Sequence, residues 1–272
     1  MKKLRQALLA IDIGNSTIGL GLYPDVARGN HLFVTALPSN TTTSSETINK
    51  FMHRFVNERR GPSICGSIGV IISSVVPNLN RKVLAAVRAF CKEPLIVDYH
   101  MAKGLTFDVP HPEMIGTDRI VNVLAGFSLL NKPAAIIDFG TATTISVAGR
   151  QANFLGGAIM PGLDMMMKSL TCGTAKLPII SLSKPRSVTG RDTASAIMTG
   201  VIHGTAGAVY SIVRGIEKEC HTKLRMILTG GHAALVSPFL NKDHSLEPHL
   251  IFEGMRLIFI RNAGHAGNNC VY

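Results

Sequence analysis

Two short stretches of this chain repeat one chemical device. Asp12-Ile13-Gly14-Asn15-Ser16-Thr17 and Asp138-Phe139-Gly140-Thr141-Ala142-Thr143-Thr144 each place an acid two residues before a glycine, followed by small polar side chains. A glycine has no Cβ, so phosphate oxygens can lie close to the backbone N–H groups at Gly14 and Gly140. Asn15, Ser16, Thr17, Thr141 and Thr143 offer further donors. Asp12 and Asp138 can hold cations directly or through water, and magnesium favours such oxygen ligands. One Asp-x-Gly is an ordinary hairpin turn; two at equivalent points of a repeated pattern point to a split phosphate site.

Other stretches carry two readings each. Gly116-Thr117-Asp118-Arg119 opens a helix. Thr117 fits a helix cap, and an acid in the first turn suits the helix dipole. The same carboxylate, Asp118, can instead take a proton from an attacking hydroxyl, with Arg119 holding an anionic group. Thr229-Gly230-Gly231 allows a flat ring to approach the backbone, or is simply a strand-to-helix turn. In 187–193, Thr189 or Asp192 can cap the following helix, while Arg191 and Thr193 can reach an acidic substrate. Met165-Met166-Met167 reads as core or interface filler.

The elements that must position these groups follow from periodicity. Short apolar runs at 7–11 and 134–137 read as strands ended by the two acids. Strand-like runs follow at 18–23 and 31–37, and again at 144–148 and 154–160. Helical spacing comes next at 46–59, with Ile48, Phe51, Met52, Phe55 and Val56 on one face. In the second half it comes at 162–170, with Leu163, Met166, Met167 and Leu170. A strand at 68–73 and a helix at 78–90 complete the first half. A helix at 117–130 leads to the join, near 125–133. A long helix at 193–220, a strand at 225–229 and a closing helix at 252–261 complete the second. The order β-β-β-α-β-α is thus written twice, an α/β duplication with domains 1–125 and 126–272. The first hairpin, Gly14-Asn15-Ser16, is expected to use a left-handed turn position. Residues 39–45 read as a loop, and 263–272 as a frayed end.

Composition narrows the class. The 272 residues are 46% hydrophobic and 17% charged, which excludes disorder as the main state. The net charge of +11 favours anionic partners. Five scattered cysteines, with no Cys-x-x-Cys, suggest neither a disulfide framework nor a zinc site. No segment reads as membrane-spanning. Near the start, the apolar run before Asp12 is shorter than the ~7–15 residues of a secretion signal. A cytoplasmic protein is expected.

In combination, Asp12-Ile13-Gly14-Asn15-Ser16, Gly116-Thr117-Asp118-Arg119, the 138–144 motif, Gly156-Gly157-Ala158-Ile159-Met160-Pro161-Gly162 and Thr229-Gly230-Gly231 resemble the type III pantothenate kinases. These belong to the acetate kinase, sugar kinase, Hsp70 and actin superfamily. The resemblance runs from about residue 9 to 261. It implies duplicated ribonuclease-H-like, actin-like ATPase domains with a nucleotide cleft between them, and phosphorylation of pantothenate by ATP in coenzyme A biosynthesis. By the same likeness, Asp12, Gly14, Asn15, Ser16, Thr17 and Thr141 contact ATP and its magnesium, and Asp118 is the general base. Gly116, Thr117, Arg119 and Thr193 hold pantothenate, and Asp138 binds a potassium or ammonium ion. A homodimer is implied. The family commonly has Tyr-Asp-Asn-Pro before Gly-x-Asp-Arg; here Val109-Pro110-His111-Pro112 stands there, so Val109 replaces the tyrosine. His111, Tyr99 and His100 are candidates for its role.

Two other functions fit part of the pattern. One is a superfamily kinase acting on another small alcohol or acid. The other is a non-catalytic nucleotide-binding regulator using its basic charge on nucleic acid. Basic residues cluster at Lys2-Lys3, His53-Arg54, Arg59-Arg60 and Arg81-Lys82, but without aromatic stacking or a recognition helix, so nucleic acid is not the expected partner.

Overall fold

The computed structural model describes residues 6–29, 31–39, 43–59, 68–88, 90–173 and 177–262. The expected frayed end at 263–272 lies outside them, as do residues 40–42 of the expected loop and Cys65 and Cys270. The chain divides into two units. One comprises residues up to 104, 111–125 and 251 onward; the other comprises 105–110 and 126–250.

In the first unit, β1 (Ala7–Ile13), β2 (Thr17–Tyr23), β3 (Phe33–Pro38), β4 (Ile68–Ser74) and β5 (Leu95–Ile96) form a sheet in the order β3-β2-β1-β4-β5. β1 is antiparallel to β2 and parallel to β4. Central strands covered on both faces need apolar runs, which residues 7–11 of β1 and 68–72 of β4 supply. On one face Leu9, Ile11 and Ile13 pack with Ile48, Met52 and Val56 of α1 (Ser45–Arg59) and Leu79 and Val83 of α2 (Pro77–Val87).

Glycines line the opposite face. Gly19 and Gly21 of β2 and Gly69 of β4 sit across from Asp12, Ala10 and Leu8. Phe252 presses on Gly19 and Gly21, and Phe259 on Gly69. Both rings come from α7 (Leu250–Asn262), the last helix. Gly254 of α7 allows close passage over Val121 of α3 (Thr117–Leu130). This corrects the expected assignment of 126–272 to one domain: aromatic-on-glycine packing returns the final helix to the first unit. The expected boundary after residue 125 falls inside α3.

The second unit repeats the pattern. β7 (Ala134–Phe139), β8 (Ala142–Ala148), β9 (Asn153–Pro161), β10 (Arg225–Thr229) and β11 (His244–Leu246) take the order β9-β8-β7-β10-β11, with β6 (Thr106–Phe107) added beside β9. The two sheets have the same order and strand directions, so the duplication read from the sequence is a duplicated ribonuclease-H-like fold. Its core joins Ile137, Phe139 and Val147 to Leu163 and Met167 of α4 (Leu163–Cys172). Ile202, Val209 and Val213 of α5 (Thr193–Glu219) and Val236 of the short α6 (Ala233–Val236) complete it. By length and composition alone α5 could cross a membrane, a test that core helices also pass. Its apolar face is instead part of this core.

A methyl group built on Gly21 stands 2.6 Å from the Phe252 ring. Gly21→Ala is therefore expected to lower unfolding stability by about 1–3 kcal/mol, as overpacking does, read from the denaturant midpoint. An unchanged midpoint contradicts this account of α7 packing.

Candidate active site

In the first unit, strand register gathers the predicted residues at one end of the sheet. Asp12, near the end of β1, pairs with Ser73 of β4 and Gly19 of β2. Gly14 donates its N–H to the Thr17 carbonyl at 2.9 Å, closing the turn that exposes Asn15, Ser16 and Thr17. The Ser39 N–H donates to the Ser16 carbonyl at 2.8 Å. None of Gly14, Asn15 and Ser16 has positive φ, so the expected left-handed turn position is not used here. A tight bend with φ below zero suffices, because Gly14 is needed for its bare face toward Thr17.

Thr117 does not serve as a simple side-chain cap. Its hydroxyl oxygen accepts the Ser74 N–H at 3.2 Å, its O–H faces the Ser74 carbonyl at 3.1 Å, and it lies 3.1 Å from Ser73 Oγ. The Gly116 carbonyl accepts the first helical N–H groups, from Arg119 and Ile120. The N-terminus of α3 is thus pinned to the end of β4, beside β1. Ser73 and Ser74 were missed by sequence reasoning; two serines ending the apolar run at 68–72 are the only signal they give.

The pinning fixes Asp118 at the same sheet end. Its Oδ1 accepts the Arg119 N–H at 2.8 Å. A Cβ on Gly116 would stand 2.5 Å from that oxygen, so any side chain there would displace the carboxylate. Burial pushes the Asp118 carboxyl above its ordinary value of 3.8, against the Arg119 N–H and guanidinium, which pull it down. A raised carboxylate in reach of solvent suits a proton acceptor.

The second unit builds a counterpart. Asp138 pairs with Thr229 of β10, as Asp12 pairs with Ser73. Gly140 donates to the Ala142 carbonyl at 3.2 Å, and Gly162 to the Thr141 carbonyl at 3.1 Å. Gly230, at φ +89°, lies so close that a Cβ would stand 2.3 Å from Asp138 Oδ1. The Thr143 hydroxyl is buried with no hydrogen-bond partner. His232 donates its N–H to the Phe139 carbonyl at 3.1 Å, and its Nε2 lies 3.5 Å from Asp164 Oδ2. Neither His232 nor Asp164 was singled out from sequence. Thr193 lies apart from this turn, at the start of α5, where Asp192 and Ser195 form the capping box. It lines a groove of about 650 Å³ with Met166, Leu170 and Ile197. Val109 lies against Gly156 of β9.

These two turns, each with a half-buried acid over glycine, are of the kind that holds phosphates. A family profile described as type III pantothenate kinase matches residues 8–215. The chain belongs to that family. A type III pantothenate kinase of Brevibacillus brevis is 37% identical over 94% of this chain and 99% of its own length. One from Anaeromyxobacter dehalogenans is 34% identical over the same shares. Among solved structures, a Campylobacter jejuni protein titled a Baf family transcriptional activator superposes with a TM-score of 0.58. It has 17% identity and covers 94% of this chain and 99% of its own. MreB 5 of Spiroplasma citri, solved with AMPPNP, gives 0.52 at 12% identity, covering 97% and 99%. These structural likenesses support the actin-like ATPase fold.

The raised Asp118 pKa has a stability consequence. Stability that this group adds in its protonated form is complete below the unfolded-state pKa and is lost as pH rises through the higher folded-state value. At neutral pH the ionised side chain therefore carries a cost that a neutral isostere avoids. Asp118→Asn is expected to melt at or above the parent temperature at pH 7, by differential scanning calorimetry. A fall of more than ~2 °C, about 0.5–1 kcal/mol at this size, contradicts this.

Proposed function

We propose that this chain transfers the γ-phosphoryl group of ATP to the primary alcohol of pantothenate, forming 4′-phosphopantothenate, the first step of coenzyme A biosynthesis. The observation that carries the mechanism is Asp118: half-buried, raised in pKa, and fixed by Thr117 beside the Asp12 turn. Family membership carries the substrate.

Phosphoryl transfer needs positioning and charge neutralisation more than covalent help from the protein. Gly14, Asn15, Ser16, Thr17 and Thr141 hold the phosphates in this reading, and Asp12 takes the magnesium through its waters. The residues fit: the turns expose hydroxyl and amide donors, and Thr143 keeps an unused buried hydroxyl under the second turn. Magnesium, when bound, neutralises charge on the phosphate oxygens. Asp118 accepts the alcohol proton as the O–P bond forms, a contribution of typically ~10²–10⁴-fold. In this reading Gly116, Arg119 and Thr193 meet the pantothenate carboxylate and polar chain. The Thr117 hydroxyl contributes by holding α3 in place.

Asp138 is assigned a monovalent cation, potassium or ammonium. Its Oδ1 lies against Gly230, where a Cβ would stand 2.3 Å from it and 2.7 Å from the Phe139 backbone. Among the described residues no cluster of three His, Cys, Asp or Glu side chains forms a multidentate metal site. A weakly held cation completed by backbone oxygens and water suits that environment. Homodimerisation and a cytoplasmic location belong to the same proposal. Val109 in place of the family tyrosine leaves a smaller apolar side chain where an aromatic hydroxyl is usual.

A coupled ADP-release assay tests the reading. Turnover is expected to require pantothenate, and Asp118→Asn is expected to lose about 10²–10⁴ in kcat while retaining ATP binding. The acid limb of the parent's kcat/KM profile is expected above pH 3.8, because the ionised base is lost at a higher pH than for an exposed aspartate. ATP hydrolysis indifferent to pantothenate, or full activity of the variant, rejects the assignment. A second assay exchanges the salt. Rates in potassium or ammonium are expected to exceed those in sodium at least severalfold, and Asp138→Asn to remove the difference. Equal rates in all three salts reject the role of Asp138.

A further inference from the structure

The carboxyl end of the second sheet carries an acid that the proposed reaction leaves unused. Met226 and Leu228 of β10 lie in the core with Ile137 and Phe139 of β7. Side chains alternate along a strand, so Ile227 and Thr229 look to the other face, with Ile136 and Asp138 beside them. Gly126 of α3 lies over Ile136 and Ile227. Thr229 and Asp138 come next on the same face, toward the carboxyl ends of their strands.

Strand β11 continues this arrangement. Ser245 and Leu246 pair in parallel with Ile227 and Leu228. Glu247 is the next residue, and its N–H donates to the Leu228 carbonyl at 2.8 Å, so it extends the ladder by one position. It therefore stands beside Thr229, on the face that Ser245 and Ile227 share. Thr144 of β8 lies opposite Asp138. Thr144, Asp138, Thr229 and Glu247 thus form a row across one end of the sheet.

The backbone of Glu247 is committed at both ends. Its carbonyl accepts the Leu250 N–H at 3.2 Å, and Pro248, which has no N–H to extend the ladder, turns the chain toward α7. The side chain is not committed. Half-buried, it makes neither a hydrogen bond nor an ion pair with any described residue. A carboxylate drawn partly out of water without a donor is costly, and an ionised one can only accept. A ligand at this end of the sheet that brings it a donor recovers that cost.

The spacing says which donor. Adjacent strands lie about 4.8 Å apart, so Glu247 is two strands, ~10 Å, from Asp138. Open α/β sheets bind nucleotides outside the carboxyl ends of their strands, where an acid on a neighbouring strand can meet the ribose. With the phosphates at the Asp138 turn, a nucleotide laid over Thr229 brings its ribose toward Glu247. The 2′- and 3′-hydroxyls are neighbouring donors, matched to the two oxygens of one carboxylate, whereas adenine offers a single amino group.

We propose that Glu247 reads the ribose of the nucleotide, accepting hydrogen bonds from its 2′- and 3′-hydroxyls. The proposal rests on the ATP-dependent reading above and adds to it a residue that selects a ribonucleotide.

Equilibrium binding by ligand-observed NMR on the full chain, with magnesium and without pantothenate, tests this. The probes are ATP, its 2′,3′-dideoxy analogue, and ITP, which keeps the ribose but lacks the adenine amino group. The parent is expected to bind the dideoxy analogue about tenfold or more weaker than ATP, and ITP within about threefold of ATP. Glu247→Ala is expected to bind ATP and the dideoxy analogue alike, at the level the parent shows for the analogue. Glu247→Gln, which keeps the size and one acceptor, is expected to retain part of the preference. Equal binding of ATP and the dideoxy analogue by the parent overturns the proposal. So does a preference that survives in Glu247→Ala, or a preference for ATP over ITP that disappears with Glu247. Each of these outcomes leaves pantothenate phosphorylation standing, whereas absence of ATP binding by the parent overturns this proposal and the reading beneath it together.

Discussion

An acid held partly out of water against a residue with no side chain is the constraint on which the active-site account rests. It occurs once in each unit. Asp118 Oδ1 occupies the space that a Cβ on Gly116 would need, and Asp138 Oδ1 the space that a Cβ on Gly230 would need. Each carboxylate thereby sits in space that a side chain at the glycine would take. Desolvation then raises the Asp118 carboxyl above its ordinary value. The glycines in these motifs are thus fitted to the acids, as well as leaving space for a ligand.

Much of this was legible from residue pattern. Unbroken apolar runs ending in Asp-x-Gly identified β1 and β7, because a strand covered on both faces has little other way to be written. Apolar spacing found α1, and its buried residues Ile48, Met52, Phe55 and Val56 are those expected to share a face. Pattern failed where it had too few residues. Strands β5, β6 and β11 span two or three residues each and exist through their partners rather than their own periodicity. It failed again at Gly19, Gly21 and Gly69, since a glycine gives no sign of which distant aromatic will cover it. The role of Thr117 was hidden for a similar reason: a threonine at a helix start looks like a cap until the strand its hydroxyl reaches is known.

The duplicated plan leads to different neighbours in its two copies. Ser73 beside Asp12 links onward through Thr117 to the carboxylate of the first unit, whereas Thr229 beside Asp138 leads into Gly230 and His232. The same register therefore feeds a helix bearing Asp118 in one unit and a glycine turn in the other.

The return of α7 to the first sheet governs the order in which the protein can be completed during synthesis. A ribosome releases β1 to β5 first, yet the glycine-lined face of that sheet has no cover until Phe252 and Phe259 emerge, after every strand of the second unit. The later half is therefore able to close while the earlier half still waits. A nascent chain stalled before α7 would expose that bare face to chaperones or to other chains, and truncation there would harm the half made first.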